Sequence, residues 1–145
     1  MSLADWQKNG WLLPHKTSKR EIKDLLGVAE RDLADCEAKG LSADWKLNIA
    51  YNAALQLATC ALAAAGYRAA RESHHFRVLQ SLEFTIGADA ALRDQLEAHR
   101  KKRNLGFYER AGQVTDQEAQ EMFNLAKHLR DQVTAWLRAK HRKLL

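Results

Sequence analysis

A run of basic side chains at residues 99–103 is followed by two polar residues, Asn104 and Tyr108. Guanidinium, amide and phenol groups in this order suit contact with phosphate, because the cation can stabilise phosphoryl charge and the other two can form hydrogen bonds. Cleavage of RNA through its 2′-OH would further need a base with a pKa near neutrality and an acid for the leaving oxygen. The run therefore raises two hypotheses, a phosphate-binding site and a ribonuclease site.

Arg103 is the residue of this run whose position most favours a site. Leu92 and Leu96 begin an apolar stripe on the predicted fourth helix, and steps of three and four place His99 and Arg103 next on that face. A guanidinium on a core-facing stripe needs a partner, because an unpaired buried charge is costly. Phosphate is one such partner. The alternatives are a carboxylate of the first or fifth helix, or solvent reached from the end of a bundle.

Other groups near Arg103 are candidates for the same site. His99 could restore acid–base chemistry, since Tyr108, with an ordinary pKa of ~10, is a poor base at neutral pH. The alternative for His99 is a partly exposed helix histidine. Arg100, Lys101 and Lys102 wrap around the helix, so most of them are expected in solvent, with phosphate steering as the other interpretation. The predicted catalytic residues are Arg103, Tyr108 and His99, and the predicted nucleotide- or RNA-binding residues are Arg103, Asn104, Arg100 and Lys102.

Histidines and cysteines elsewhere give weaker signals. His74 and His75 stand at the start of the predicted third helix, where they are either surface residues or site groups whose neutral rings accept from backbone amides. Cys36 and Cys60 have no second Cys or His at metal-ligand spacing, so both are expected to be small buried apolar residues in a reducing cytoplasm. Neither a metal nor a cofactor is predicted.

The composition is that of one folded domain. The chain has 145 residues, of which 46% are hydrophobic and 28% charged, enough for a single core. Polar residues interrupt the longest apolar stretch, 47–65, so we expect no membrane span. The formal net charge of +5 favours an anionic partner such as nucleic acid or a nucleotide, although interspersed acidic residues weaken that indication.

Residues 1–17 are predicted to be an irregular N-terminal arm whose aromatic side chains pack on a helical domain at 18–145. Capping residues mark the starts of five predicted helices, and glycines mark the ends of the first three. The capping residues are Ser18, Ser42, Ser73, Asp89 and Thr115, of which Ser18 and Thr115 form capping boxes with Glu21 and Glu118; the glycines are Gly40, Gly66 and Gly87. Phe76, Leu79, Leu82 and Ile86 are predicted to face inward on the third helix.

The second predicted helix is apolar on nearly every side. One narrow polar line runs along it, made of Asn48, Asn52, Gln56 and Thr59. It is either a central helix with one wet edge, or a helix that also contributes to a subunit interface or lines a polar cleft. No segment alternates with period two, so no strands are expected. Short turns between long amphipathic helices predict an all-α, antiparallel up-and-down four-helix bundle with an additional short helix.

This arrangement resembles the HEPN domain (higher eukaryotes and prokaryotes nucleotide-binding). The HEPN motif is an Arg, usually followed by a polar residue, then four to six residues and a His. Arg103 and Asn104 match its first two elements, residues 104–107 provide the spacing, and Tyr108 stands at the His position. The resemblance extends from about Ser18 onward and includes the closing helix that opens on Thr115.

The resemblance implies a homodimer in which two copies of the motif converge, and metal-independent RNA cleavage in active members. It also implies a possible nucleotidyltransferase antitoxin as partner. Because Tyr108 replaces the usual base, the expected function is RNA or nucleotide binding with weak or absent ribonuclease activity. An active endoribonuclease toxin of a toxin–antitoxin or defence system is one alternative, and a non-enzymatic protein-interaction module is the other.

Overall fold

The computed structural model describes residues 1–104 and 114–145, with the side chain of Asn104 excepted. Helices dominate these residues: α1 (Leu3–Lys8), α2 (Lys19–Asp35), α3 (Ala43–Ala64), α4 (His74–Gln80), α5 (Ala90–Asn104) and α6 (Asp116–Lys140), with 3-10 turns at Ser81–Glu83 and Arg142–Leu144. Two short strands, β1 (Leu12–Pro14) and β2 (Tyr67–Ala69), form an antiparallel ribbon. The mostly helical class is confirmed, and the expectation of no strands is wrong.

Local capping explains four of the predicted helix starts. Backbone amides donate to the side chains of Ser18, Ser42, Asp89 and Thr115 over 2.9–3.2 Å. The predicted box is complete at Thr115, where Glu118 accepts from the Thr115 amide. At Ser18 only half of it forms, because the Glu21 carboxylate accepts from Thr17 instead and also contacts the ring of His15.

The third helix begins differently from its prediction. Ser73 has a left-handed backbone, with φ of 52°, and its side chain makes no capping hydrogen bond. Helix α4 ends at Gln80 and passes into a 3-10 turn, so it is shorter than predicted. Leu79 and Leu82 are fully buried as expected, whereas Phe76 and Ile86 are only partly buried.

Helix α3 is the central element of the fold. It packs mainly against α2 and α6, and most of its side chains are buried within the chain. It is also the one helix among residues 1–104 and 114–145 that is long and apolar enough to cross a membrane, but the greater part of it is covered by the other helices. We therefore interpret α3 as a core helix.

The polar line on α3 meets partners from two other helices. Asn52 donates to the Asp32 carboxylate of α2 over 2.6 Å, and Asn48 accepts from Arg103 of α5 over 2.8 Å. Thr59 donates back to the carbonyl of Leu55. All four residues of the line stay partly exposed, and two of them, Asn48 and Asn52, also connect α3 to neighbouring helices. Asn48 brings the line to the predicted site.

The N-terminal arm is more ordered than predicted. It contains α1, which begins with a capping box between Ser2 and Asp5, and β1, whose Leu12 pairs with Ala69 of β2. Trp6 is buried and makes edge-to-face contacts with Trp11 and Phe84, at ring-centroid distances of 5.8 and 5.2 Å. The prediction that aromatic side chains anchor the arm is confirmed, and the prediction of an irregular arm is wrong.

Candidate functional site

The end of α5 meets α3 and α4 at a group of polar side chains that we call the arginine cluster. Its members are Arg100 and Arg103 of α5, Asn48 and Tyr51 of α3, and His75 of α4. Leu96, one turn earlier on α5, is fully buried and fixes the rotation of the helix. As a result, the side of α5 that is buried in the core at Leu96 carries Arg100 and Arg103 near the end of the helix.

Arg103 is held against α3 by two interactions. Its Nε donates to Asn48 Oδ1 over 2.8 Å, and its guanidinium carbon lies 5.5 Å from the centre of the Tyr51 ring. Both partners are on the central helix, whose position is fixed by packing on two sides. The guanidinium is therefore oriented before any ligand arrives, which lowers the entropy that a ligand contact must overcome.

Arg100 is paired with Glu97 on its own helix. Its Nη2 and Nε donate to the two carboxylate oxygens over 2.7 and 3.0 Å. The pKa of Arg100 is raised, first by this hydrogen bonding and against the opposing effect of burial. Glu97 thus offsets the positive charge of Arg100.

Tyr51 and His75 form the uncharged part of the cluster. Tyr51 is 1% exposed, and its hydroxyl oxygen lies 3.3 Å from His75 Nδ1. Burial raises the pKa of Tyr51 to about 12, more than the nearby Arg100 and Arg103 lower it. Burial also lowers the pKa of His75, and His74, Arg103 and Arg100 add to that effect. At neutral pH the pair is therefore a phenol and a neutral imidazole.

His99 does not belong to the arginine cluster. It lines a groove on the α6 side of α5, together with Glu121, Asn124 and His128. Burial lowers its pKa, although Glu121 and Glu118 act in the opposite direction. The predicted proximity of His99 to the Arg103 site is not what the structure shows, because Arg103 faces α3 while His99 faces α6.

The rest of the basic run divides between the two sides of α5. Lys102 pairs with Glu118 of α6 at 3.4 Å, and Lys101 is exposed. Arg100, Lys101 and Lys102 were all expected to lie mostly in solvent, and Lys101 is exposed as expected. Arg100 and Lys102 are instead partly buried and form ion pairs. The predicted contributions of the Asn104 side chain and of Tyr108 lie outside the described residues.

Part of this cluster is predictable from the sequence. Asn48 belongs to the polar line of α3 and His75 is a candidate site residue, whereas Tyr51 is not among the predicted residues. A tyrosine in an otherwise apolar helix is a usable signal, because a buried hydroxyl needs a hydrogen-bond partner. Among residues 1–104 and 114–145, no group of three or more His, Cys, Asp or Glu is arranged to hold a metal ion.

We compared the chain with protein-family models, curated proteins and solved structures. None of them matches it. The chemistry of the site is therefore inferred from its own residues. The oriented guanidinium of Arg103 can contribute to the binding of an anion, and the neutral imidazole of His75 near it can accept a proton or a hydrogen bond.

Proposed function

We propose that this chain is a HEPN-like, homodimeric protein that binds RNA or a nucleotide, and that the arginine cluster holds the phosphate. The observation that carries the proposal is the orientation of Arg103 by Asn48 and Tyr51. A guanidinium matches phosphate geometry with two parallel N–H donors, and its binding energy is greatest when its orientation is already fixed.

The proposal includes the segment that follows α5. Arg103 and Asn104 precede Tyr108 with the spacing of the HEPN motif, so the proposed site continues from the cluster into that segment. Asn104 would donate to phosphate or accept from ribose, and Tyr108 would donate a hydrogen bond or stack on a base. The helical bundle is likewise proposed to follow the up-and-down HEPN order.

The test is salt-dependent binding of a fluorescein-labelled single-stranded RNA, followed by fluorescence anisotropy. Arg103→Ala should weaken binding at least tenfold and reduce the slope of log affinity against log salt by about 0.7, the value for one lost contact to single-stranded phosphate. Lys101→Ala is the matched control, because it removes the same charge from an exposed neighbour. If the Arg103 and Lys101 variants bind equally well, the cluster is not the site.

A second candidate function, metal-independent RNA cleavage, is favoured by His75. The neutral ring of His75 lies beside two guanidinium groups, and a neutral imidazole is a suitable base for a 2′-OH. Incubation of purified protein with the same RNA should then give products that disappear in His75→Ala, while His99→Ala still cleaves. If the protein without substitutions leaves the RNA intact, the function is limited to binding.

The dimer is tested separately by light scattering. We expect twice the monomer mass at micromolar concentration, with the same mass for Arg103→Ala, because that substitution changes the site and not the core. A monomeric mass at all concentrations would show that the proposed dimer is wrong. The phosphate site would then depend only on the RNA-binding measurements.

A further inference from the structure

One aromatic side chain near the arginine cluster is largely exposed to solvent. Trp45 lies in the first turn of α3, where its backbone amide donates to the Ser42 side chain over 3.2 Å. It is 51% exposed, and it is the one aromatic residue among the exposed large hydrophobic side chains of residues 1–104 and 114–145. A single exposed apolar side chain is common on protein surfaces, so the position of Trp45, rather than its exposure, has to carry any inference.

Trp45 is one helical turn from the residue that orients Arg103. Asn48 follows it by three residues on α3, which corresponds to a rise of about 4.5 Å along the helix axis and a rotation of about 60° around it. Cβ atoms three residues apart on a helix are separated by only about 5–6 Å. Asn48 in turn accepts from Arg103 Nε over 2.8 Å. Trp45 is therefore a neighbour of the proposed phosphate site, on the side towards the start of α3.

A nucleotide has groups that match both side chains. Its phosphate carries the charge that a guanidinium binds, and its base is a flat ring that can stack on an indole. Only one ribose joins the phosphate to the base, so the two groups can reach side chains that are one helical turn apart. Tyr51 is the other aromatic residue beside Arg103, but it is buried and has no accessible face for a base.

We infer that Trp45 stacks on the base of the nucleotide whose phosphate lies at Arg103, and that the RNA is bound as a single strand. A base inside an RNA duplex is already stacked and paired, so its face is not accessible to an indole. Every base has an aromatic face, and recognition by stacking therefore tolerates different bases. This inference rests on the proposed phosphate site, to which it adds a preference for single strands and a tolerance of base identity.

The test compares ligands that have a base with one that has none. Adenosine 5′-monophosphate, uridine 5′-monophosphate and ribose 5-phosphate are each titrated into the full chain, and binding is measured by calorimetry. Both nucleotides should bind about 5- to 150-fold more tightly than ribose 5-phosphate, the range expected when one base stacks on an aromatic side chain.

Substitutions of Trp45 assign that difference to the indole. Trp45→Ala should remove the preference for the nucleotides and leave the affinity for ribose 5-phosphate unchanged, whereas Trp45→Phe should retain part of the preference. Leu13→Ala is the matched control, because it removes an exposed apolar side chain from β1. All three positions of change are on the surface, so the variants should keep the helix content of the protein without substitutions.

NMR and a duplex probe give two further readouts. The chain has four tryptophans, and the indole N–H resonance that is missing in Trp45→Phe belongs to Trp45. The nucleotides should shift this resonance and leave that of Trp6, which is buried, in place. A duplex RNA should bind more weakly than its single strand, and its affinity should be the same for Trp45→Ala as for the protein without substitutions.

The outcomes separate this inference from the proposed function. Equal affinities for ribose 5-phosphate and the nucleotides, with binding lost in Arg103→Ala, would overturn the stacking contact alone. The same holds if Trp45→Ala weakens ribose 5-phosphate as much as the nucleotides. It also holds if Trp45→Ala changes only the mass in light scattering, since Trp45 would then contact a second copy of the chain. Absence of binding for all three ligands would overturn both the stacking contact and the phosphate site.

Discussion

The hydrogen bond between Arg103 and Asn48 is open to a quantitative test. Nε donates to Oδ1 over 2.8 Å between two half-buried side chains on α5 and α3. Hydrogen bonds to charged groups contribute about 1.5–3 kcal/mol, and partial exposure places this one at or slightly below the lower limit. We therefore expect a coupling free energy of about 1–1.5 kcal/mol between the two side chains.

A double-mutant cycle isolates that coupling. The variants are Asn48→Ala, Arg103→Ala and the double variant, and the free energy of unfolding of each is measured in urea by circular dichroism. Arg103→Ala also loses its contact with the Tyr51 ring, which is worth about 0.5–1 kcal/mol, but that loss cancels in the cycle. A parallel cycle with Lys101→Ala should be additive within about 0.5 kcal/mol.

The same cycle has a consequence for RNA binding. If Asn48 acts by orienting Arg103, Asn48→Ala should weaken RNA binding in the natural sequence and have no further effect once Arg103 is Ala. Additive effects on RNA affinity, or a coupling free energy of unfolding below about 0.5 kcal/mol, would refute the idea that Asn48 positions the guanidinium.

Three further predictions follow from buried polar groups. Because the pKa of His75 is lower in the folded chain than in the unfolded chain, the unfolded state binds more protons. Stability should fall as pH decreases from 6.5 through the folded pKa, and His75→Gln, measured by urea unfolding at several pH values, should reduce that loss. Asp32→Ala should lower the free energy of unfolding by about 1–3 kcal/mol, because it leaves the Asn52 amide without its 2.6 Å acceptor. Burial raises the pKa of Cys36 to about 11 and that of Cys60 to about 12, so both thiols should react with a thiol reagent only as fast as the chain opens.

Each of these three predictions has a contrary outcome. An NMR-measured pKa for His75 at or above 6.5 would contradict the pH dependence. Asp35→Ala, at an exposed position on the same helix, is the control for Asp32, and equal losses in the two variants would show that the bond to Asn52 adds nothing. Rapid modification of Cys60 in the folded chain would mean that α3 is less well covered than its burial indicates.

Local signals made most of the helices predictable. Capping at Ser42, Asp89 and Thr115 depends on side chains within three residues, so the sequence contains all the information required. Ser73 is the exception, because its backbone is left-handed, a conformation that the residue type serine does not predict. The ribbon was not predictable, since three-residue strands are too short for alternation and their pairing joins distant segments.

The site was predictable only where one helix determines it. Arg103 follows Leu96 along α5, so its inward direction could be inferred from spacing. His99 differs from Arg103 by about 40° around the helix, and that difference is enough to place it on the α6 side. His75 joins the cluster from α4, whose orientation depends on tertiary packing. The distance from His75 to Tyr51 therefore could not be obtained from the sequence.

The β1–β2 ribbon has a consequence for how the fold opens locally. Its strands are only three residues long, so few backbone hydrogen bonds hold them together. Such an element opens at much lower free energy than α3, whose amides require global unfolding. Hydrogen exchange should thus be fast at Leu13 and Arg68 and slow through the middle of α3.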